Sequence, residues 1–209
     1  MHTSRGRAAG GVLVPEENDP VYTLRGELVA LGPLRREMID LWLRWFNDLE
    51  MLRTLGSVNA ASREDEERFY EQATAAGQVN FAIFELSSGR PVGTCALREI
   101  DQRNGTATFG IAIGPRDAWN RGYGSEATRL ILDYGFHWLG LHNVQLAVFA
   151  NNPRGVRAYE KAGFRVIGRR REAHRVGQQR MDEILMDALA TDFDSPLLAK
   201  TIYAPQERP

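Results

Sequence analysis

Cysteine is nearly absent from this 209-residue chain: Cys95 is the only one. That excludes an internal disulfide and a zinc centre built on several thiolates, and it fits a reducing compartment. An excess of either charge is absent too. With 26 Lys and Arg against 27 Asp and Glu, the formal net charge is −1, so no global field would hold nucleic acid or an anionic membrane. No apolar run approaches the roughly 20 residues needed to span a bilayer, and residues 1–20 lack the apolar centre of a secretory signal. The expected location is therefore cytoplasmic, with no nucleic acid and no membrane among the partners. The four histidines fall at no metal-ligand spacing with Cys95 or the carboxylates, so no metal is expected.

What is present suits one globular unit. Hydrophobic residues make up 43% and charged residues 25% of the chain, close to the averages for folded domains. Residues 1–20 mix Gly, Arg, Pro and acidic residues without periodicity and are expected to be a flexible extension. A single domain is expected over 21–190, followed by a tail over 191–209.

Residues 21–31 alternate loosely and predict a first strand, or a hairpin turning at Gly26. The period then changes. From Arg35 to Phe46, Met38, Ile39, Leu41, Trp42, Trp45 and Phe46 recur at helical spacing, and Asn47-Asp48 ends the run. Ser62 is a helix cap with acidic residues behind it, predicting a helix over 63–75. Residues 50–61 between these helices have no pattern, and such a surface segment would suit substrate selection.

Three strands are predicted over 79–86, 91–100 and 106–113, joined through Ser88-Gly89 and Asn104-Gly105. A helix over 122–139 would bury Leu130, Ile131, Tyr134 and Trp138. A strand over 144–149 precedes a short helix over 153–162, marked by Pro153 after Asn152 and by Gly163 beyond its end. Strands over 164–171 and 179–189 would pair as a hairpin near Val176-Gly177. This order implies an α/β (α+β) domain with a mixed, mostly antiparallel sheet of about seven strands and helices on both faces.

Two segments carry chemistry. Ile111-Ala112-Ile113 leads through a turn into Trp119-Asn120-Arg121-Gly122-Tyr123-Gly124-Ser125, a strand-to-helix passage. The glycines admit close backbone approach, and the open N–H groups of a helix start favour phosphate oxygens. Arg121 and Arg116 would add charge-assisted contacts. A third glycine for a dinucleotide turn and a Gly-Lys-Ser/Thr for a Walker loop are both missing, which leaves the pyrophosphate of coenzyme A as the better fit. The second segment runs from Asn151-Asn152-Pro153 through Tyr159-Glu160-Lys161-Ala162-Gly163-Phe164.

The spacing of Asn152, Tyr159 and Gly163-Phe164 resembles the pattern of GNAT N-acetyltransferases. So does the turn above, with Trp119 at the first position of Gln/Arg-x-x-Gly-x-Gly/Ala. Trp45-Phe46-Asn47-Asp48-Leu49-Glu50 is similar to a segment of the branch that acetylates ribosomal-protein alanine, with Leu49 in place of proline. The resemblance covers residues 21–189. It implies acetyl-CoA as co-substrate and a sheet splayed between the strand ends at Ile113 and Phe149. In that reading Ile111 and Ile113 offer backbone partners to the pantetheine arm, Asn152 contacts the arm, and residues around Gly122 and Gly124 hold the pyrophosphate.

The acceptor would be a primary amine, either a small metabolite, polyamine or antibiotic or a protein N-terminus. A phenol stays protonated near neutrality, so Tyr159 suits protonation of the departing sulfur. Thr108 stands where many relatives place a basic carboxylate, leaving Glu99 and Asp101 as candidate bases. Cys95 lacks a basic partner, which disfavours an acyl-enzyme. Glu50 and acidic residues 64–67 would attract a cationic acceptor, although a solvated helix turn explains them equally well. The competing reading is an acyl-CoA-binding module without turnover. An edge strand near the C-terminus is compatible with a homodimer.

Overall fold

The computed structural model describes residues 21–55 and 59–202. Eight strands form one sheet: β1 (Leu24–Arg25), β2 (Val29–Gly32), β3 (Val79–Glu85), β4 (Pro91–Asp101), β5 (Thr106–Ile113), β6 (Asn143–Phe149), β7 (Arg165–Val176) and β8 (Gln179–Leu189), in the order β1-β2-β3-β4-β5-β6-β8-β7. The hairpin at Gly26 supplies two short strands rather than one, hence eight where about seven were expected. Every neighbouring pair is antiparallel except β5 and β6.

Strand alternation sends successive side chains to opposite faces, and each face has its own core. Phe81, Ile83, Cys95, Leu97 and Phe109 point toward α4 (Tyr123–Asp133) and α5 (Pro153–Ala162), where Leu130 and Ile131 are buried. On the other face Ala82 and Phe84 meet Trp42 and Trp45 of α1 (Ile39–Phe46), with Ala73 of α3 (Arg63–Ala73). Each such large apolar side chain contributes about 1.5–3 kcal/mol on full burial. Trp45 packs so closely over Gly114 that a Cβ there would lie 1.9 Å from its ring.

Local signals explain most boundaries. Ser62 and Asp65 form a reciprocal capping box at the start of α3. Asn152 caps α5, Pro153 fills its first turn, and Gly163 ends it at φ 112°. The helix α2 (Leu49–Leu55) occupies part of the segment expected to be irregular. Asp48 caps it by accepting from the N–H groups of Glu50 and Met51. Trp138 is 64% exposed, not buried as expected. A π-helical turn over Tyr134–Trp138, closed by the Leu139 N–H on the Tyr134 carbonyl, swings it off the buried stripe and stacks it on Tyr134.

Three carboxylates fasten α4. Glu126 accepts from the backbone N–H groups of Glu27, Leu28 and Val29, tying the first hairpin to the helix start. Glu85, at the end of β3, accepts from the Tyr123 hydroxyl, from Ser88 and from Arg90. Asp133, fully buried, accepts from Ser195 and from the N–H groups of Leu197 and Leu198, with His137 2.9 Å away. Residues 191–202, expected within a tail, are thereby docked on the domain and include α6 (Leu198–Ile202). The expected extension over 1–20 and the end of the tail lie outside the described residues.

Asp133→Ala strands the Ser195 hydroxyl and two N–H groups, so it is expected to destabilise the fold by about 2–3 kcal/mol. Hydrogen exchange should speed up over 193–202 before the rest of the sheet; uniform exchange would show that Asp133 does not hold this segment. The hydrogen bonds from Ser88 and Tyr123 hold the Glu85 carboxyl down to about 2, from an ordinary 4.5. A depressed carboxyl stabilises fully above its unfolded value and is lost as pH falls through the folded one. Melting temperature should therefore drop between about pH 4.5 and 2 in the wild type, and less steeply in Glu85→Gln.

Candidate active site

Strands β5 and β6 pair only over Thr106–Asn143, Ala107–Val144 and Thr108–Gln145. Beyond Thr108 they diverge, while β6 stays paired with β8 along its whole length. The direction of the backbone groups follows from the ladder. Gly114 donates to the Val92 carbonyl on the β4 side, and Gly105 accepts from His142 and Asn143 on the β6 side. Because peptide groups alternate in direction, Phe109, Ile111 and Ile113 turn their N–H and C=O groups into the gap, and Ala112 turns its own toward Thr94 of β4. The Ile113 carbonyl accepts from the Trp119 indole at 2.8 Å. Among the described residues, the N–H and C=O of Ile111 and the N–H of Ile113 have no strand partner.

The gap opens into a cavity of about 890 Å³ that reaches both faces of the sheet. Ile111, Ala112, Ile113, Trp119, Asn120, Gly122, Tyr123, Gly124, Ser125, Asn152 and Tyr159 all line it. Arg121 does not; it is exposed, with its guanidinium 3.8 Å from Glu85. Arg116, expected beside the phosphates, is instead bidentate on Asp48.

At the mouth the backbone turns through left-handed Asn120 (φ 59°) and Gly122 (φ 86°). Gly122 is the cap residue of α4 and has no side chain to satisfy the first-turn N–H groups. Tyr123, Gly124 and Ser125 thus present open donors at the positive end of an 11-residue helix, a fit for phosphate oxygens. Facing them, Asn152 spends its oxygen on the Gly155 N–H, which leaves its amide nitrogen as a donor toward the cleft. Arg154 stacks over Trp119 at 3.8 Å, joining the two lips of the mouth. Burial pushes the Arg154 pKa down.

At the apex, Phe109 is the first residue past the paired segment. Its ring meets Tyr159 edge-on at 6.1 Å and stacks on Phe164 at 5.8 Å. The Tyr159 hydroxyl makes no hydrogen bond to any described residue, and burial pushes its pKa up to about 12. Cys95 is buried beside the cleft with its thiol pushed up by burial, which disfavours a thiolate nucleophile.

The carboxylates considered as bases are engaged elsewhere. Thr108 donates to Glu99 at 2.8 Å, and Asp101 accepts from Arg103 and Asn104 in the turn before β5. Neither carboxylate lines the cavity. One feature of the wall escaped sequence reasoning. His174 pairs with Glu183 at 2.9 Å and packs on Phe149 at 4.1 Å, both partners reaching the cavity from the β7–β8 hairpin. Glu66 of α3, from the acidic run considered for a cationic acceptor, also lines the cavity. On the same hairpin, Arg169 and Arg170 pair with Asp182 and Glu183.

Among the described residues no group of carboxylates, histidines or cysteine could hold a metal ion, and no helix is long and apolar enough to cross a membrane. The model of the acetyltransferase (GNAT) domain family matches residues 29–165. The uncharacterized N-acetyltransferase p20 of Bacillus licheniformis is 25% identical over 175 residues, covering 82% of this chain and 98% of that protein. The spermidine N(1)-acetyltransferase of Escherichia coli K12 is 35% identical over 80 residues, 38% of this chain and 42% of that protein. Among solved structures, spermidine N-acetyltransferase from Vibrio cholerae, in complex with CoA and spermine, superposes with a TM-score of 0.72 at 23% identity, over 79% of this chain and 98% of that one. With a family model matching most of the domain and a cleft suited to the cofactor, the chain belongs to the GNAT acetyltransferase family and is an acetyl-CoA-dependent N-acetyltransferase.

Proposed function

We propose that the acceptor is a small primary amine, that it attacks the acetyl group directly, and that Tyr159 protonates the departing sulfur. The observation that carries this is a single cavity passing through the sheet at the gap, with open phosphate-type donors on one side and a walled pocket on the other. On the acceptor side Phe46, Met51, Leu55 and Phe69 surround the opening, a setting for a compact aliphatic ligand rather than an extended chain. Relatives named as spermidine acetyltransferases support the same class.

Acetyl-CoA supplies an activated acyl group whose leaving group is a thiolate. The chain's residues do the rest. The free backbone groups of Ile111 and Ile113 would pair with the amides of the pantetheine arm as an added strand would, and Asn152 would donate to it from the other lip. Asn120, Gly122 and the N–H groups of Tyr123, Gly124 and Ser125 would hold the pyrophosphate, with Trp119 bracing the turn against Ile113. Alignment of a neutral amine over the carbonyl then supplies most of the rate gain. A hydroxyl with a pKa near 12 stays protonated throughout the neutral range, so Tyr159 holds its proton ready for sulfur as the C–S bond breaks; the proton lost by the attacking nitrogen passes to solvent, from which the phenolate is reprotonated. Cys95 takes no part, and no covalent acyl-enzyme is needed.

Thiol release over a panel of polyamines, short aliphatic amines, amino acids and peptide N-termini tests the acceptor; turnover confined to peptides would overturn the small-amine reading. Tyr159→Phe keeps the aromatic packing and is expected to lower kcat by about 100-fold or more, with acetyl-CoA affinity held. An unchanged kcat removes Tyr159 from the acid role. A Cβ at Gly124 would lie 3.7 Å from Ile113 Cγ1, an ordinary contact, so the fold tolerates a side chain there. Gly124→Val should nonetheless weaken coenzyme A binding about 10-fold or more by blocking backbone approach; equal affinity by calorimetry would show that the pyrophosphate binds elsewhere.

A further inference from the structure

The acidic run of α3 is not uniform. Glu64 is exposed, and Asp65 is spent on the capping box with Ser62. Glu66 is 6% exposed and lines the acceptor side of the cavity. Its carboxylate accepts no hydrogen bond and pairs with no cation among the described residues. Burial, with a smaller push from Asp65, raises its pKa.

An ionised carboxylate so enclosed is costly unless something positive meets it. Its neighbours in the cavity wall are of the kind that welcome a cation. Phe46 and Phe69 line the same side, and aromatic faces attract ammonium groups. Two other charged groups in the wall leave Glu66 alone: Arg98 lies over Gly110, with Cζ 4.0 Å from where a Cβ would stand, and forms no ion pair with Glu66, while Glu183 is paired with His174 and Arg170.

We propose that Glu66 is a cation subsite for the acceptor, taking an ammonium group that does not react, so that the preferred substrate is an aliphatic amine bearing a second positive charge. The assignment rests on the small-amine reading above. A carboxylate stabilises the charged form of an amine, so at the reacting nitrogen it would hinder attack. At a distal nitrogen it aligns the chain without that penalty, and it gains its missing partner.

The test compares 1,4-diaminobutane with n-pentylamine, which replaces one ammonium by a methyl group of similar size. Wild type should favour the diamine in kcat/KM. In Glu66→Gln that preference should fall by about 10- to 100-fold, carried by KM, the range expected for loss of a desolvated charge-assisted contact. Glu66→Asp should restore part of it, and Glu64→Gln, which removes an equal charge from the exposed face, should leave the preference intact. Coenzyme A affinity retained in each variant shows that the fold survives.

Equal preference in wild type and Glu66→Gln overturns the proposal. So does a fall in kcat on both amines with KM retained, which would instead place Glu66 in proton transfer. If wild type acetylates neither amine, the small-acceptor reading fails, and calorimetry of the diamine with the coenzyme A-loaded protein still decides the subsite. Binding lost in Glu66→Gln upholds it, and equal binding overturns it.

Discussion

The early end of pairing between β5 and β6 is the constraint from which the site follows. Three residue pairs hold the strands together, and then Phe109, wedged between Tyr159 and Phe164, stands where a fourth would form. β6 cannot follow β5, because it is paired with β8 as far as Phe149. The peptide groups of Ile111 and Ile113 are left facing an open gap, and buried peptide groups require partners. Trp119 supplies one, to the Ile113 carbonyl. A ligand that carries amides in an extended chain can supply the others, so an unfinished sheet becomes a binding site.

A gap of this kind is useful only if its rim is fixed, and the rim is the start of α4. Helix α4 is uncapped by any side chain, which leaves its donors for a ligand but removes a local source of order. Order comes from a distance instead. Glu85 grips Tyr123 from β3, Glu126 grips the first hairpin, and Asp133 grips the C-terminal segment. Charge follows the same division. The chain is nearly neutral overall, yet Arg154, Arg157 and Lys161 line the cofactor side of the cavity while Glu66 sits on the acceptor side. Local fields therefore differ along the cavity where net charge says nothing.

What could be read from the chain depended on whether its cause lay within a few residues. The bounds of α5 follow from Asn152, Pro153 and Gly163, the hairpins from Gly-containing turns, and α3 from Ser62 and Asp65. Features decided by distant partners were missed. Arg116 looked free to meet phosphate until the fold brought Asp48 beside it, 68 positions away. Trp138 fitted a buried stripe until one wide helical turn displaced it. The C-terminal segment lacked a periodic pattern because its anchor is Asp133. Glu66 could not be told from Glu64 by sequence, since only the docking of α3 on the sheet separates them.

This difference also explains how one fold can keep its cofactor while acceptors vary. The cofactor side is built from two continuous segments, each a strand end and the helix after it, so its geometry is written locally and packs on the core that contains α4 and α5. The side proposed for the acceptor is formed by α1, α2 and α3, which pack on the opposite face, with a separate core around Trp42 and Phe84. Gly110 and Ala112 of β5 lie between them and present almost no side chain to the acceptor face. A substitution in α2 or α3 can therefore reshape the acceptor pocket while leaving the peptide groups of Ile111 and Ile113, and the turn at Gly122, where they are. The two sides share a cavity, but they do not share the packing that supports them.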